Sequence, residues 1–206
     1  MKKIYSLFIW CFLAGTLVSC EKEENLHPNQ VISTASDYLP TTAGTTWTYG
    51  GRSPYTLTVT GNTKVINGKS YHELQNKIGG TTFNAYVINE KGVYTAIGLV
   101  SSMANLEVAI LKEALPVGSF WEQAGVVNGI NVNLKFTIEE KDATKIIAGK
   151  TFDNVINVKM AGIYTYSGIE TGISFTNNYY FAKGIGLILT DLGANGKAPL
   201  EIYEVK

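Results

Sequence analysis

The chain has 206 residues, room for one large or two small domains, and its 17 basic and 17 acidic side chains cancel. That balance excludes electrostatic capture of nucleic acid as a working principle. Of the two cysteines, Cys11 lies in an N-terminal apolar stretch that reads as a leader, and the one thiol left excludes an intramolecular disulfide framework and a Cys-cluster zinc site.

Lys2 and Lys3 precede an apolar run from Ile4 to Val18. Its fifteen residues fit a signal-peptide core and fall short of the roughly 20 that a bilayer-spanning helix needs. The run ends in Leu17-Val18-Ser19-Cys20. This tetrapeptide resembles the lipobox of bacterial lipoproteins, with a branched apolar residue first, a small residue before the Cys, and a thiol that alone can form a thioether to lipid. The resemblance implies that residues 1–19 are a signal peptide, that Cys20 is lipidated, and that acyl chains such as palmitate hold the protein on the membrane. Two or three such chains give far more than the marginal affinity of one. Glu21-Lys22-Glu23-Glu24 resembles the acidic export signal of surface lipoproteins in Bacteroidota-type bacteria. It implies display on the cell surface of the outer membrane, with a periplasm-facing anchor as the alternative.

Residues 20–37 then form the lipidated Cys and a flexible tether, because this polar stretch with one Pro cannot bury enough surface to offset its ordering entropy. His27 falls in it and reads as solvated. Seventeen residues of tether reach at most about 60 Å. The body, residues 38–206, carries 14 basic and 13 acidic groups, so the neutrality belongs to the body itself.

From Tyr38 onward Thr, Tyr, Val, Ile and Gly dominate, as in strands and turns. Tyr55, Leu57 and Val59 alternate with threonines; Val132, Leu134, Phe136 and Ile138 alternate with polar residues; Ile156, Val158 and Met160 do the same. Period-two alternation predicts antiparallel strands with one apolar face. Asn67-Gly68, Asn128-Gly129 and Asn195-Gly196 predict tight hairpin turns, since both residues tolerate positive φ. Met103 to Leu115 has helical residue usage and is the place for at most one short helix.

Three features occur twice in the same order. Leu39-Pro40 leads to Gly44 and Trp47, and Leu115-Pro116 leads to Gly118 and Trp121. Ile66-Asn67-Gly68-Lys69 is echoed by Ile147-Ala148-Gly149-Lys150, and an aromatic strand runs into Lys91-Gly92 and again into Lys183-Gly184. Residues 38–100 and 114–190 therefore read as two versions of one β-unit. The expected fold is all-β, an antiparallel sheet of about twelve strands curved into a half-barrel or a sandwich. Because both tryptophans take the same place in the echo, they read as core anchors rather than stacking platforms for a ligand. The Leu39-Pro40 to Trp47-Thr-Tyr49 pattern, with the late Tyr179-Tyr-Phe-Ala-Lys-Gly-Ile-Gly-Leu-Ile188, resembles uncharacterised all-β lipoproteins of Bacteroidota. More distantly, the strand count on an acylated protein is similar to the half-barrel of lipoprotein carriers, an analogy of fold rather than of function.

Catalytic signatures are sparse. The body has one histidine, His72, and one arginine, Arg52, with no nucleophile elbow, phosphate loop or His-x-x-x-His spacing. His72, in Tyr71-His-Glu-Leu-Gln, reads as a half-exposed strand residue; Glu139, Glu140 and Asp142 read as a solvated strand end before a turn, with neighbours on opposite faces. Tyr55, Tyr86, Tyr94, Tyr164, Tyr166, Tyr179, Tyr180, Asn177 and Asn178 offer rings and amides suited to glycan or protein recognition, although tyrosine also fills half-buried strand positions. The expectation is a lipid-anchored envelope protein with a non-catalytic binding role, no catalytic residue, no cofactor, no metal and an unassigned ligand site. Its partners would be the membrane, through the acyl chains, and an outer-membrane protein complex or a glycan or lipid ligand. An accessory subunit of such a complex, a lipid or glycan carrier, and a carboxylate-based hydrolase are the alternatives.

Overall fold

The computed structural model describes residues 30–31, 36–99, 106–127, 129–166 and 169–206; the leader and Cys20 lie outside them. Thirteen strands follow in chain order: β1 (Gln30–Val31), β2 (Thr46–Tyr49), β3 (Tyr55–Ile66), β4 (Lys69–Ile78), β5 (Thr81–Glu90), β6 (Val93–Ile97), β7 (Val108–Lys112), β8 (Phe120–Val127), β9 (Ile130–Ile147), β10 (Lys150–Tyr166), β11 (Ile169–Ala182), β12 (Gly186–Asp191) and β13 (Lys197–Glu204). Twelve of them form one antiparallel sheet in the order β7-β6-β5-β4-β3-β2-β13-β12-β11-β10-β9-β8. It consists of two meanders, β2–β7 and β8–β13, joined where β13 pairs with β2. The remaining strand, β1, runs parallel to β10 at Thr151 and Phe152.

The sheet curls past a half-barrel until its two edges meet. β7 and β8 share no backbone ladder. Instead the Trp121 indole N–H donates to the Ala109 carbonyl at 2.9 Å, and the Gln123 side-chain oxygen accepts the Ala109 N–H at 2.8 Å. Two side chains thus satisfy backbone groups that an open edge would leave to solvent or to another chain. The barrel is nearly closed, with a side-chain seam.

Alternation fills the interior as the residue pattern demands. Leu57 and Val59, the four residues Val132, Leu134, Phe136 and Ile138, and Ile156, Val158 and Met160 are all buried in one core, together with Trp47 and Phe152. The echoed entries have matching geometry. Gly44 and Gly118 both take positive φ (83° and 86°), and each N–H bonds a carbonyl of the second strand of its half, Val59 at 2.9 Å and Ile138 at 2.8 Å. A Cβ-bearing residue at that φ would be strained, which explains Gly at both places. The β3–β4 and β9–β10 turns match too: Asn67 and Gly68 at φ 51° and 79°, Ala148 and Gly149 at 48° and 77°.

Three expectations change. Val108–Lys112, inside the stretch with helical residue usage, is strand β7, because ladder bonds to β6 and burial of Val108, Ile110 and Leu111 outweigh weak helix propensity; 103–105 lie outside the described residues. The sole helical turn among the described residues is the 3-10 turn Gly193–Asn195. It replaces the tight hairpin expected at Asn195-Gly196: β12 and β13 are joined by a wider loop in which the Asp191 carboxylate accepts the Gly193 N–H at 3.0 Å and Leu192 N–H bonds the Gly196 carbonyl. At Asn128-Gly129, Val127 pairs with Ile130, and Gly129 takes φ 80°; Asn128 lies outside the described residues. Finally, Glu139, Glu140 and Asp142 do not end a strand. β9 runs through them, and Asp142 (φ 52°) sits where the β9–β10 register shifts between the pairs Ala143–Val155 and Glu140–Asn157, while a second irregular residue, Asn154 (φ 52°), lies at the neighbouring shift between Phe152 and Val155. A bulge re-aims side chains without ending the pairing.

Candidate functional site

At one end of the barrel the core stops short and leaves a cavity of about 570 Å³. Its position follows from the strand phase. On β3 and β4 the inward residues pair across the ladder as Val59 with Leu74, Leu57 with Asn76, and Tyr55 with Ile78. The Val59–Leu74 layer is packed solid. One level up, Asn76 and the residues around it form a floor, and Tyr55 and Ile78 form the wall above it. The opposite wall comes from β10–β12, with Tyr164, Phe175, Tyr179, Phe181 and Leu187, while Ile110 of β7 closes the side nearest the seam. The volume lies within the roughly 300–1,000 Å³ typical of small-molecule pockets.

Aromatic and branched side chains dominate this lining, and the polar groups within it are few and specific. Tyr55 stacks on Tyr49 (centroids 4.5 Å apart) and hydrogen-bonds Thr190 through its side chain. Burial pushes its phenol well above the ordinary tyrosine value. Burial likewise lifts Tyr179 to about 12, opposed by a hydrogen bond from the Asn177 amide, whose nitrogen lies 3.3 Å from the phenol oxygen. Asn76 is only 4 % exposed, and its side-chain oxygen has no hydrogen-bond partner. That oxygen has almost no accessible surface, so it is not presented to the cavity, although Asn76 borders it.

At the rim stand Arg52, Ser53, Asn195 and Lys197. Lys197 is neutralised by Asp191 at 2.7 Å, which holds the Asp191 carboxyl below the usual range. Arg52, the sole arginine of the chain, makes no ion pair with a described residue. Beside the rim the β10–β11 hairpin extends beyond the barrel wall and leaves Tyr166 and Ile169 exposed. Gly162 on that hairpin gives the Phe175 ring its place: a Cβ there would lie 2.2 Å from the ring.

Of the residues singled out from sequence, Tyr55, Tyr164, Tyr179 and Asn177 converge on this cavity. The others go elsewhere. Tyr94 is buried, accepting the Tyr38 N–H and donating to Glu113. Tyr86 and Tyr180 lie under Lys64 and Lys145, Tyr166 is exposed, and Asn178 pairs with Asp191 across the β11–β12 ladder. His72 is half-buried on β4 between Thr63 and Val87 and does not line the cavity. Glu139 pairs with Lys159 and Glu140 with Lys145. Cys20 lies outside the described residues. No three His, Cys, Asp or Glu side chains converge among the described residues. Asn76 and most of the apolar lining went unnoticed in the sequence, although Asn76 had a signal: it takes the apolar phase of β4 between Leu74 and Ile78.

No protein-family model and no curated protein matches the chain. Two solved structures are similar in fold. One is a candidate lipoprotein from Parabacteroides distasonis ATCC 8503, 14% identical, with a TM-score of 0.52 over 82% of this chain and 99% of its own. The other is a candidate exported protein with a YmcC-like fold from Bacteroides fragilis NCTC 9343, 11% identical, with the same TM-score and coverage. At such identities the likeness is one of fold: this chain shares the all-β architecture of these two Bacteroides-group proteins.

Proposed function

We propose that the protein is a lipid-anchored β-barrel of the bacterial outer membrane, facing the cell surface, that binds a small ligand in its end cavity and carries out no catalysis. The observation that carries the binding role is the cavity itself. A space of about 570 Å³ with apolar walls is poorly filled by water, which finds few hydrogen bonds there, and well filled by an apolar ligand. Its lining contains no carboxylate and no imidazole, so a hydrolase would lack an acid–base pair in this cavity. A cavity within the barrel also favours a ligand carrier over an accessory scaffold subunit. The lipobox at Cys20 supports the anchor, and the shared fold with a candidate lipoprotein and a candidate exported protein is consistent with it.

Two measurements test this reading. Cys20→Ala should abolish labelling by an alkyne-bearing palmitate analogue and move the protein out of the membrane fraction; persistence there would refute the anchor. The purified body should enhance the fluorescence of anilinonaphthalene sulfonate. Ala198→Phe, which fills the cavity from β13, should remove that enhancement while leaving the melting temperature unchanged. Equal fluorescence in both proteins would refute the cavity as a binding site.

A further inference from the structure

We propose that the anchored barrel stands with its packed end toward the bilayer and its cavity mouth away from it. The occupant then arrives from the aqueous side and not from the anchoring leaflet. The proposal rests on the Cys20 anchor and the binding role argued above, and it names where the ligand comes from.

Antiparallel pairing sends alternate connections to opposite ends of a barrel. The cavity lies at the end reached by Arg52 and Ser53 after β2, Ile78 at the close of β4, Leu99 after β6 and Asn195 after β12. The chain enters the barrel at the other end. There the Asp37 carbonyl accepts the Gly184 N–H of the β11–β12 turn at 2.7 Å, and the Asp37 carboxylate accepts the amide of Asn89, beside the β5–β6 turn, at 3.1 Å. The Tyr38 N–H donates to the Tyr94 hydroxyl at 3.0 Å, and Tyr38 and Leu39 are both buried. Further upstream, Gln30 and Val31 pair with Thr151 and Phe152, just past the β9–β10 turn at this same end. They take an edge that β11 leaves open, since its ladder with β10 reaches only to Val155. Two separate points of the incoming chain are thus fastened to the packed end.

Chain length turns this fastening into an orientation. Ten residues run from Cys20 to Gln30, and at full extension they reach about 35 Å. From Phe152 to Tyr166, at the mouth-side tip of β10, the strand covers roughly 45 Å, which at the usual tilt of about 40° is about 35 Å of barrel height. A barrel turned mouth-down would need all ten residues drawn taut along its wall. With the packed end down, Cys20 reaches the bilayer without that stretch. A lipid tail leaving the anchoring leaflet would then have to pass the height of the barrel through water, with its apolar surface exposed on the way.

Energy transfer tests this posture on the lipidated full chain in vesicles that carry a rhodamine-labelled lipid. Cys11 leaves with the leader and Cys20 is consumed by lipid, so one introduced cysteine is the sole thiol for fluorescein. Lys183→Cys marks the packed end and Asn195→Cys the mouth, both at exposed positions. The two sites are separated by the length of β12, about 20 Å, and transfer from Lys183→Cys should be at least double that from Asn195→Cys. Equal transfer would overturn the proposal, and so would the reverse order, as when the exposed Tyr166 and Ile169 dip into the bilayer. A Gly-Ser insert of about twenty residues between Pro28 and Asn29 adds roughly 70 Å of reach and should shrink the difference; an unchanged difference would overturn chain length as its cause. Protein that fails to float with the vesicles refutes the anchor, and anilinonaphthalene sulfonate that never enters the cavity refutes the binding role. Reversed transfer with both of those intact refutes the posture alone. Thermal melting guards against misfolding, and if Asn195→Cys does not fold, Ser53→Cys marks the same rim.

Discussion

The halves β2–β7 and β8–β13 are both six-stranded meanders and differ in strand length. β3, β4 and β5 have 12, 10 and 10 residues, whereas β9, β10 and β11 have 18, 17 and 14. Both halves enter through a positive-φ glycine three residues before a buried Trp, and both make their first long hairpin with two positive-φ residues. The added length in the second half does not thicken the core. It continues β10 and β11 beyond the end of β12 and supplies Tyr164, Phe175 and Asn177, part of one wall of the cavity. The longer strands of the second half thus carry more of the cavity lining than the shorter strands of the first.

A second divergence lies in how the halves join. At one junction β13 and β2 form a backbone ladder; at the other, Trp121 and Gln123 stand in for it. Truncating the two corresponding tryptophans should separate these junctions most clearly. Trp47 is 1 % exposed, donates its indole N–H to the Ile185 carbonyl at 2.6 Å and touches Gly186, so Trp47→Ala should cost about 3–5 kcal/mol in urea denaturation. Trp121 is 7 % exposed at the seam, and Trp121→Ala should cost about 1 kcal/mol less while accelerating amide exchange at Ala109. Equal costs with unchanged exchange would show the seam to be as tight as the ladder.

Alkaline pH probes the halves through their tyrosines. Burial raises Tyr49, Tyr55, Tyr71 and Tyr94 above the ordinary phenol value and lifts Tyr38 to about 12, while the second half contributes Tyr179, also at about 12, and Tyr203. An unfolded chain releases these protons near pH 10, whereas the folded barrel keeps them, so stability should be intact below about pH 10 and fall as pH rises toward 12. Each such tyrosine adds a slope of up to about 1.4 kcal/mol per pH unit in that window. The urea midpoint followed across it should show this decline, and Tyr179→Phe should make it shallower. A flat midpoint would mean that these phenols are hydrated in the folded barrel.

The smallest effect concerns the matching turns. Ala148 holds a positive φ of 48° where the first half has Asn67 at 51°. Ala148→Asn should stabilise the barrel by about 0.5–1 kcal/mol, because Asn tolerates the left-handed region better than Ala. Asn67→Ala should cost at least as much, since it also removes the bond from the Asn67 amide to Glu107. Thermal denaturation of the two variants measures whether the turns are interchangeable.

Much of the scaffold was legible because its signals are local. The alternation at Leu57–Val59 and Val132–Ile138 predicts the buried faces, and Asn67-Gly68 predicts its turn, since each depends on neighbours a few residues apart. The helical usage around Val108–Lys112 misled for the complementary reason: propensities of a few tenths of a kcal/mol yield to ladder bonds with β6, which is fixed only once the sheet forms. The acidic run at Glu139–Asp142 was misplaced because a bulge leaves little trace in residue type.

For the cavity, the sequence by itself determined the materials: an apolar phase interrupted by Asn76, a lone Arg52, and tyrosines and amides late in the chain. Only the tertiary structure decided that Asn76 of β4, Ile110 of β7 and Phe175 of β11 surround one space, and that Arg52 guards its mouth while His72 does not face it. Period two tells which face of a strand turns inward, but not how far the sheet curls. That curl brings β7 against β8, where Trp121 and Gln123 bond the Ala109 backbone, a contact between the two ends of the sheet order that no local pattern encodes.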